Sequence, residues 1–244
     1  QNFPGDVQIR GTTFIKANSN NNNIAIGTDA GVGIQGENAI ALGKVAGNSV
    51  QGSNSISIGT EAGRYNQNNN ATAMGIYAGS NSQGTNTVAV GYGAGRGAQG
   101  ASATAVGVSA GNATQGVGAT AVGHSAGQLA QNNYATALGS TAGYNAQGEN
   151  ATAVGRLAGD SAQAAGATAM GLFAGRTAQG DSATAVGRSA GYNQQGANSV
   201  AVGLNAGCAD QAANAVSIGN AAGCDSQGTQ GIAIGNTAGR VAQG

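Results

Sequence analysis

ATAVGRSAGYNQQGANSVAVG, residues 183–203, begins to repeat before it ends: ATAVG at Ala183–Gly187 returns sixteen residues later as SVAVG at Ser199–Gly203. Carried outward, that spacing divides the chain from Asn23 into thirteen units of sixteen, without insertion or deletion, and a fourteenth that stops at Gly244. With the first residue of each unit as position 1, the pattern is A-[TVI]-A-[VILM]-G-x-x-A-G-x-x-x-Q-G-x-x. Four columns never vary within the chain: Gly at position 5 (Gly27 to Gly235), Ala at 8 (Ala30 to Ala238), Gly at 9 (Gly31 to Gly239) and Gln at 13.

A period of sixteen is too short for two packed helices. Apolar positions 2 and 4 alternate with small positions 1 and 3, which is the spacing of a strand, and the glycines at 5, 9 and 14 supply corners. The pattern predicts an all-β fold: a parallel β-solenoid of about fourteen 16-residue coils over residues 23–244. Like columns stack about 4.8 Å apart, which extends fourteen coils to roughly 65–70 Å. Residues 1–22 read as an N-terminal cap or assembly segment. DVQIR alternates as a strand does, and Phe3 and Phe14 are expected to cover the open edge of the first coil, an aggregation site if left bare. No comparable cap follows the last unit, so further chain or another subunit is expected there.

Composition narrows the function classes. Glycine is 46 of 244 residues, charged residues are 7%, aromatics 4%, and Pro4 is the only proline. Collagen needs Gly at every third position and abundant Pro, so it is excluded. Net charge is zero with the charges scattered singly, which offers no basic face for nucleic acid. No apolar run approaches the length of a membrane span. No enzyme chemistry assembles either, and neither a metal nor a cofactor is expected. His124, the one histidine, sits at a variable position without a second histidine to share a metal or a triad. GVGIQG (31–36) and GRGAQG (95–100) match GxGxxG literally but lack the strand-to-helix setting that makes that motif hold phosphate.

The Gln column comprises Gln35, Gln51, Gln67, Gln83, Gln99, Gln115, Gln131, Gln147, Gln163, Gln179, Gln195, Gln211, Gln227 and Gln243. A buried amide is costly unless paired, and stacked Gln side chains pair amide to amide along the coils; the column is assigned a structural role. Positions 2 and 4 share one strand face, and 1 and 3 the other. Position 3 is Ala in twelve units and Ser in two. Small residues at 3 and 8 suit a thin interior and turn positions 2 and 4 outward; the opposite arrangement would bury seven Thr hydroxyls in need of partners. The candidate interface column is then Thr72, Val88, Thr104, Thr120, Thr136, Thr152, Thr168 and Thr184 at position 2 with Val106, Val122, Val154 and Val186 at position 4, an apolar stripe larger than monomers ordinarily expose.

Cys208 and Cys224 stand at position 10 of adjacent units. Stacking brings their Cα atoms within disulfide range, so a bridge and an oxidising compartment are expected. Asn70-Ala-Thr, Asn112-Ala-Thr and Asn150-Ala-Thr are glycosylation acceptor patterns.

NAIALGKVAG (38–47) and NSVAVGLNAG (198–207) resemble the head repeats of YadA-like trimeric autotransporter adhesins, haemagglutinin-type β-roll repeats also found in phage and viral fibres. The resemblance covers residues 23–244, with a unit of sixteen in place of about fourteen, and without that family's coiled-coil stalk and membrane anchor. It implies a left-handed β-roll in which three chains associate lengthwise, displayed outside a cell or virion, with adhesion to a surface receptor or glycan and no catalysis. The expectation is thus a non-catalytic structural fibre or adhesin module, a homo-oligomer (trimer, with end-to-end filaments a further form) that displays variable columns such as those of Tyr65, Tyr77, Tyr92, Phe173 and Arg176. The alternative is an ice-binding solenoid that uses the Thr/Val face.

Overall fold

The computed structural model describes residues 7–9, 12–18 and 21–243, with side chains over 21–241. It is all-β and a parallel β-solenoid, as the sixteen-residue period requires. The chain divides into two compact units, Gln1–Gly118 and Ala119–Gly244, a division that falls between two repeats inside the span read as one solenoid domain.

Each coil carries a first strand at positions 2–4 and, in nearly all coils, a second ending at position 13. In the first unit the first strands stack in parallel from Asn23–Ile26 to Thr104–Val106, every residue beside its equivalent sixteen positions on. In the second unit the same stack runs from Thr120–Val122 to Ile232–Ile234. The edge of the first coil is covered: Thr12–Asn18 pairs antiparallel with Asn23–Ile26, and Val7–Ile9 pairs antiparallel with Thr12–Asn18. Backbone pairing of this kind hides a strand edge. Phe3 lies outside the described residues, as does the Phe14 side chain.

The interior contains almost no large aliphatic side chain. Positions 3 and 8 are Ala nearly throughout and position 1 is Ala in nine of fourteen coils; these columns are buried apart from Gly231 and Ala238 in the last coil, and the largest fully buried side chains are the glutamines of position 13. From Gln51 to Gln227 each Gln spans its coil. Its Nε2 donates to the position 2 carbonyl of its own coil, as from Gln147 to Thr136 at 2.7 Å and from Gln163 to Thr152 at 2.8 Å. The same Nε2 reaches the position 1 carbonyl of the next coil and the Oε1 of the next Gln. In the second unit the amide chain is continuous from Gln131 to Gln195 at 3.1–3.2 Å. The column is therefore a ladder along the coils and a brace across them, which pairs the Nε2 of these buried amides as burial demands, while the Gln211 Oε1 is buried without a hydrogen-bond partner. The two serines in column 3 join it: Ser57 and Ser217 each donate Oγ to the Oε1 of the Gln in their own coil.

Two glycine columns follow from this packing. At position 5, φ is +123° to +131°, and a Cβ on Gly171 would stand 2.7 Å from the carbonyl oxygen of Gly187 in the next coil. At position 9, φ is about +53°, and a Cβ on Gly175 would meet the Gln179 carboxamide at 2.6 Å. Neither place admits another residue without moving backbone or the Gln ladder.

Position 7 is left-handed in every coil although Gly93 is its only glycine; Val45 has φ 60°, Leu157 59° and Phe173 60°. A β-branched residue there is a strained choice. Replacing Val45 with Gly is expected to raise stability by about 1 kcal/mol, read as an upward shift of the denaturant midpoint; a lower midpoint would show that the corner is not strained. Position 16 is left-handed as well, and there Asn, which tolerates it, fills seven of thirteen coils.

Candidate interaction face

With Ala in column 3 turned inward, residues at positions 2 and 4 face out. The twelve residues of the candidate column are all partly exposed: Thr72, Val88, Thr104, Thr120, Thr136, Thr152, Thr168, Thr184, Val106, Val122, Val154 and Val186. Other position 4 residues protrude further, Met74, Leu138 and Met170 at 40–45% exposure. In the second unit Thr120, Thr136, Thr152, Thr168 and Thr184 are consecutive register partners, with Val122, Leu138, Val154, Met170 and Val186 beside them. This makes a two-file surface of period about 4.8 Å across the strands and, two residues along a strand, roughly 6.6 Å. No charged residue stands in either file from Ile24 to Ile234.

The opposite wall differs. Position 12 is apolar only at Ile34 and Val50 and is otherwise small or polar, as at Asn66, Ser82, Ala98, Gln194 and Asp210. A solvated wall has that composition, whereas the first-strand face retains Val, Ile, Leu, Met and Thr without exception. The contrast singles out one face.

Between the two strands lies a corner, positions 6–11, that gathers nearly all the aromatic and basic side chains. Arg176 reaches Asp160 at 3.6 Å, donates to the Tyr192 hydroxyl at 2.5 Å, and lies 5.3 Å from the Phe173 ring centroid, with Arg156 5.5 Å from the same ring. Burial pushes the Asp160 carboxyl above its ordinary range, against the pull of the Arg176 guanidinium. In the first unit Tyr77 and Tyr92 meet edge to face at 6.0 Å, and Arg96 covers Tyr77. The residues expected to be displayed are thus held in cation–π clusters. Tyr65 pairs with Arg64, which also bonds Glu61.

Cys208 and Cys224 form a disulfide with Cα atoms 4.6 Å apart, fastening adjacent coils at position 10. Together with Asp225 they are the one group of three or more His, Cys, Asp or Glu side chains close enough to share an ion among the described residues, and both sulfurs are held in the bridge. Of the sequon residues, the Asn70 side chain bonds Asn86 and that of Asn112 bonds the Gly93 carbonyl. No helix among the described residues is long and apolar enough to cross a membrane. No protein-family model matches the chain, and comparison with curated proteins and with solved structures gave no match.

The sequence pattern missed three features of this surface. The Gln brace depends on main-chain acceptors, which a column of side chains does not reveal. The left-handed position 7 is masked by Val45, Leu157 and Phe173. The Arg and aromatic clustering was legible only once positions 6, 7 and 10 were known to share a corner.

Proposed function

We propose that this chain is a non-catalytic structural module that associates with copies of itself through the first-strand face, forming a fibre or adhesin head that displays its corner residues to an external surface. The observation that carries the reading is the uncharged, apolar, two-file face beside a solvated opposite wall. The surface recurs at every coil, so two copies can meet rung by rung, and burying its Val, Ile, Leu and Met side chains takes apolar area out of water. The resemblance to YadA-like heads supports three chains and an extracellular setting, and the Cys208–Cys224 bridge agrees with an oxidising compartment.

The test is substitution on the face. Thr152→Lys with Val154→Lys places two charges on one rung of each copy without touching the interior. The expected result is at least about a tenfold weaker association, since buried like charges are costly, with an unchanged far-ultraviolet spectrum. Unaltered association would remove this face from the interface. The ice-binding alternative rests on the five in-register Thr rungs from Thr120 to Thr184. A monomer that produces thermal hysteresis, lost in Thr152→Lys, would favour it.

A further inference from the structure

The charges nearest the apolar face follow a rule that the repeat itself does not impose. The face is bordered by position 6 on one side and position 15 on the other. Among the described residues only three acids occupy column 15: Glu37, Glu149 and Asp181. Only three Lys or Arg occupy column 6: Lys44, Arg156 and Arg188. Each acid is followed, seven residues later, by one of the bases. The pairs 37/44, 149/156 and 181/188 therefore flank the same first strands, Ile40–Leu42, Thr152–Val154 and Thr184–Val186. No acid in column 15 lacks its base, and no base in column 6 lacks its acid.

Within one chain no acid–base contact explains this coincidence, although Arg156 lies over the Phe173 ring. All six side chains are exposed, and the ion pairs among the described residues are Glu61–Arg64 and Asp160–Arg176, neither of which involves them. Acid and base stand at opposite borders of the face, with a strand and its bends between them.

We infer that the three pairs are completed between copies: the column 15 acid of one chain meets the column 6 base of its neighbour on the same rung, which fixes a parallel, in-register association. This rests on the self-association reading and specifies its geometry. Within each unit, a rotation about its own axis of coil stacking carries one chain's position 6 border onto its neighbour's position 15 border at equal height, whether two or three chains close the ring. Acid then meets base at three rungs. A twofold axis along the strands would instead turn the chains antiparallel and set position 6 against position 6, base facing base. A shift by one coil would leave all six charges unmatched. The apolar files supply the attraction, being nearly the same on every rung, and so cannot choose a register; the three ion pairs choose it. Border charges act in this way, through orientation and register more than through affinity.

The experiment uses three variants of the whole chain. The acid-edge variant carries Glu37→Lys, Glu149→Lys and Asp181→Lys; the base-edge variant carries Lys44→Glu, Arg156→Glu and Arg188→Glu; the third carries all six. Association is measured by light scattering over a dilution series at low salt. Either single-edge variant is expected to associate about tenfold more weakly than the natural chain, because three attractive border pairs become three repulsive ones. The six-fold variant is expected to regain the natural affinity, and, when mixed with differently tagged natural chain, to form mixed oligomers well below the statistical proportion. At 1 M salt, where the screening length is about 3 Å, the differences are expected to vanish. If the natural chain associates and the single-edge variants match it at low salt, or the six-fold variant fails to recover or mixes freely, the register pairing is wrong while face association stands. If the natural chain remains a 23.1 kDa monomer, face association fails and the pairing with it.

Discussion

Gly171→Val is expected to cost about 4 kcal/mol. Gly171 has φ +128°, a conformation that strains an L side chain by itself, and the added Cβ would lie 2.7 Å from the Gly187 carbonyl oxygen and 2.8 Å from its carbon. The obstructing atoms are backbone of the next coil, fixed by the ladder on either side, so relief requires separating two coils. Left-handed strain of 1–3 kcal/mol and overpacking of similar size act together. Urea unfolding followed by circular dichroism measures the loss. Gly166→Asn is the control: Gly166 also has positive φ (+64°), but its Cβ would meet nothing nearer than the Ser182 hydroxyl at 3.4 Å, and Asn fills that column elsewhere. It is expected to be neutral within about 0.5 kcal/mol. Equal effects at the two sites would refute the close-approach account of column 5.

The second large effect is expected from Gln147→Leu, about 3 kcal/mol. Leucine approximates the volume of glutamine but removes donors to Thr136 O, Ala151 O and Gln163 Oε1 and an acceptor for Gln131 Nε2. What remains are buried polar groups without partners, each costing about 1–3 kcal/mol. The double variant Gln147→Leu with Gln163→Leu is expected to cost clearly less than the sum of the singles, because it removes both members of one amide pair. Strict additivity would mean that the amides act separately and that no ladder couples them. Gln35→Leu, in the first coil and only half-buried, is expected to cost less than Gln147→Leu.

These two substitutions also mark what the sequence made legible. Stacking in register turns a column of like residues into a set of contacts, so the sixteen-residue spacing, the outward turn of positions 2 and 4, the stacked glutamines and the adjacent Cys208 and Cys224 could all be read before any coordinate. The limit was reached where the partner is main chain. Gln147 looks like one member of an amide stack, and only the structure shows it bracing the Thr136 carbonyl across the coil. Ser57 and Ser217 look like tolerated exceptions in an Ala column, yet each supplies a hydroxyl to the amide beside it. Column 16 did carry its signal, since Asn recurs where the backbone is left-handed; column 7, with Val45 and Phe173, carried none. From Ala146 onward position 12 also turns left-handed, at Ala162, Ala178, Gln194, Asp210 and Ser226, and nothing in the residues of that column accounts for the change. The border charges lay in plain view, but their pairing has meaning only once positions 15 and 6 are known to bracket one outward strand.

The reading of the apolar face as a contact between copies meets its most direct test in the mass of the chain in solution. Light scattering at micromolar concentration and physiological salt is expected to give a multiple of 23.1 kDa, close to three chains, and to give the single-chain mass for Thr152→Lys with Val154→Lys. A natural chain that stays at 23.1 kDa at every concentration would contradict the account, and would leave the Thr and Val files facing water.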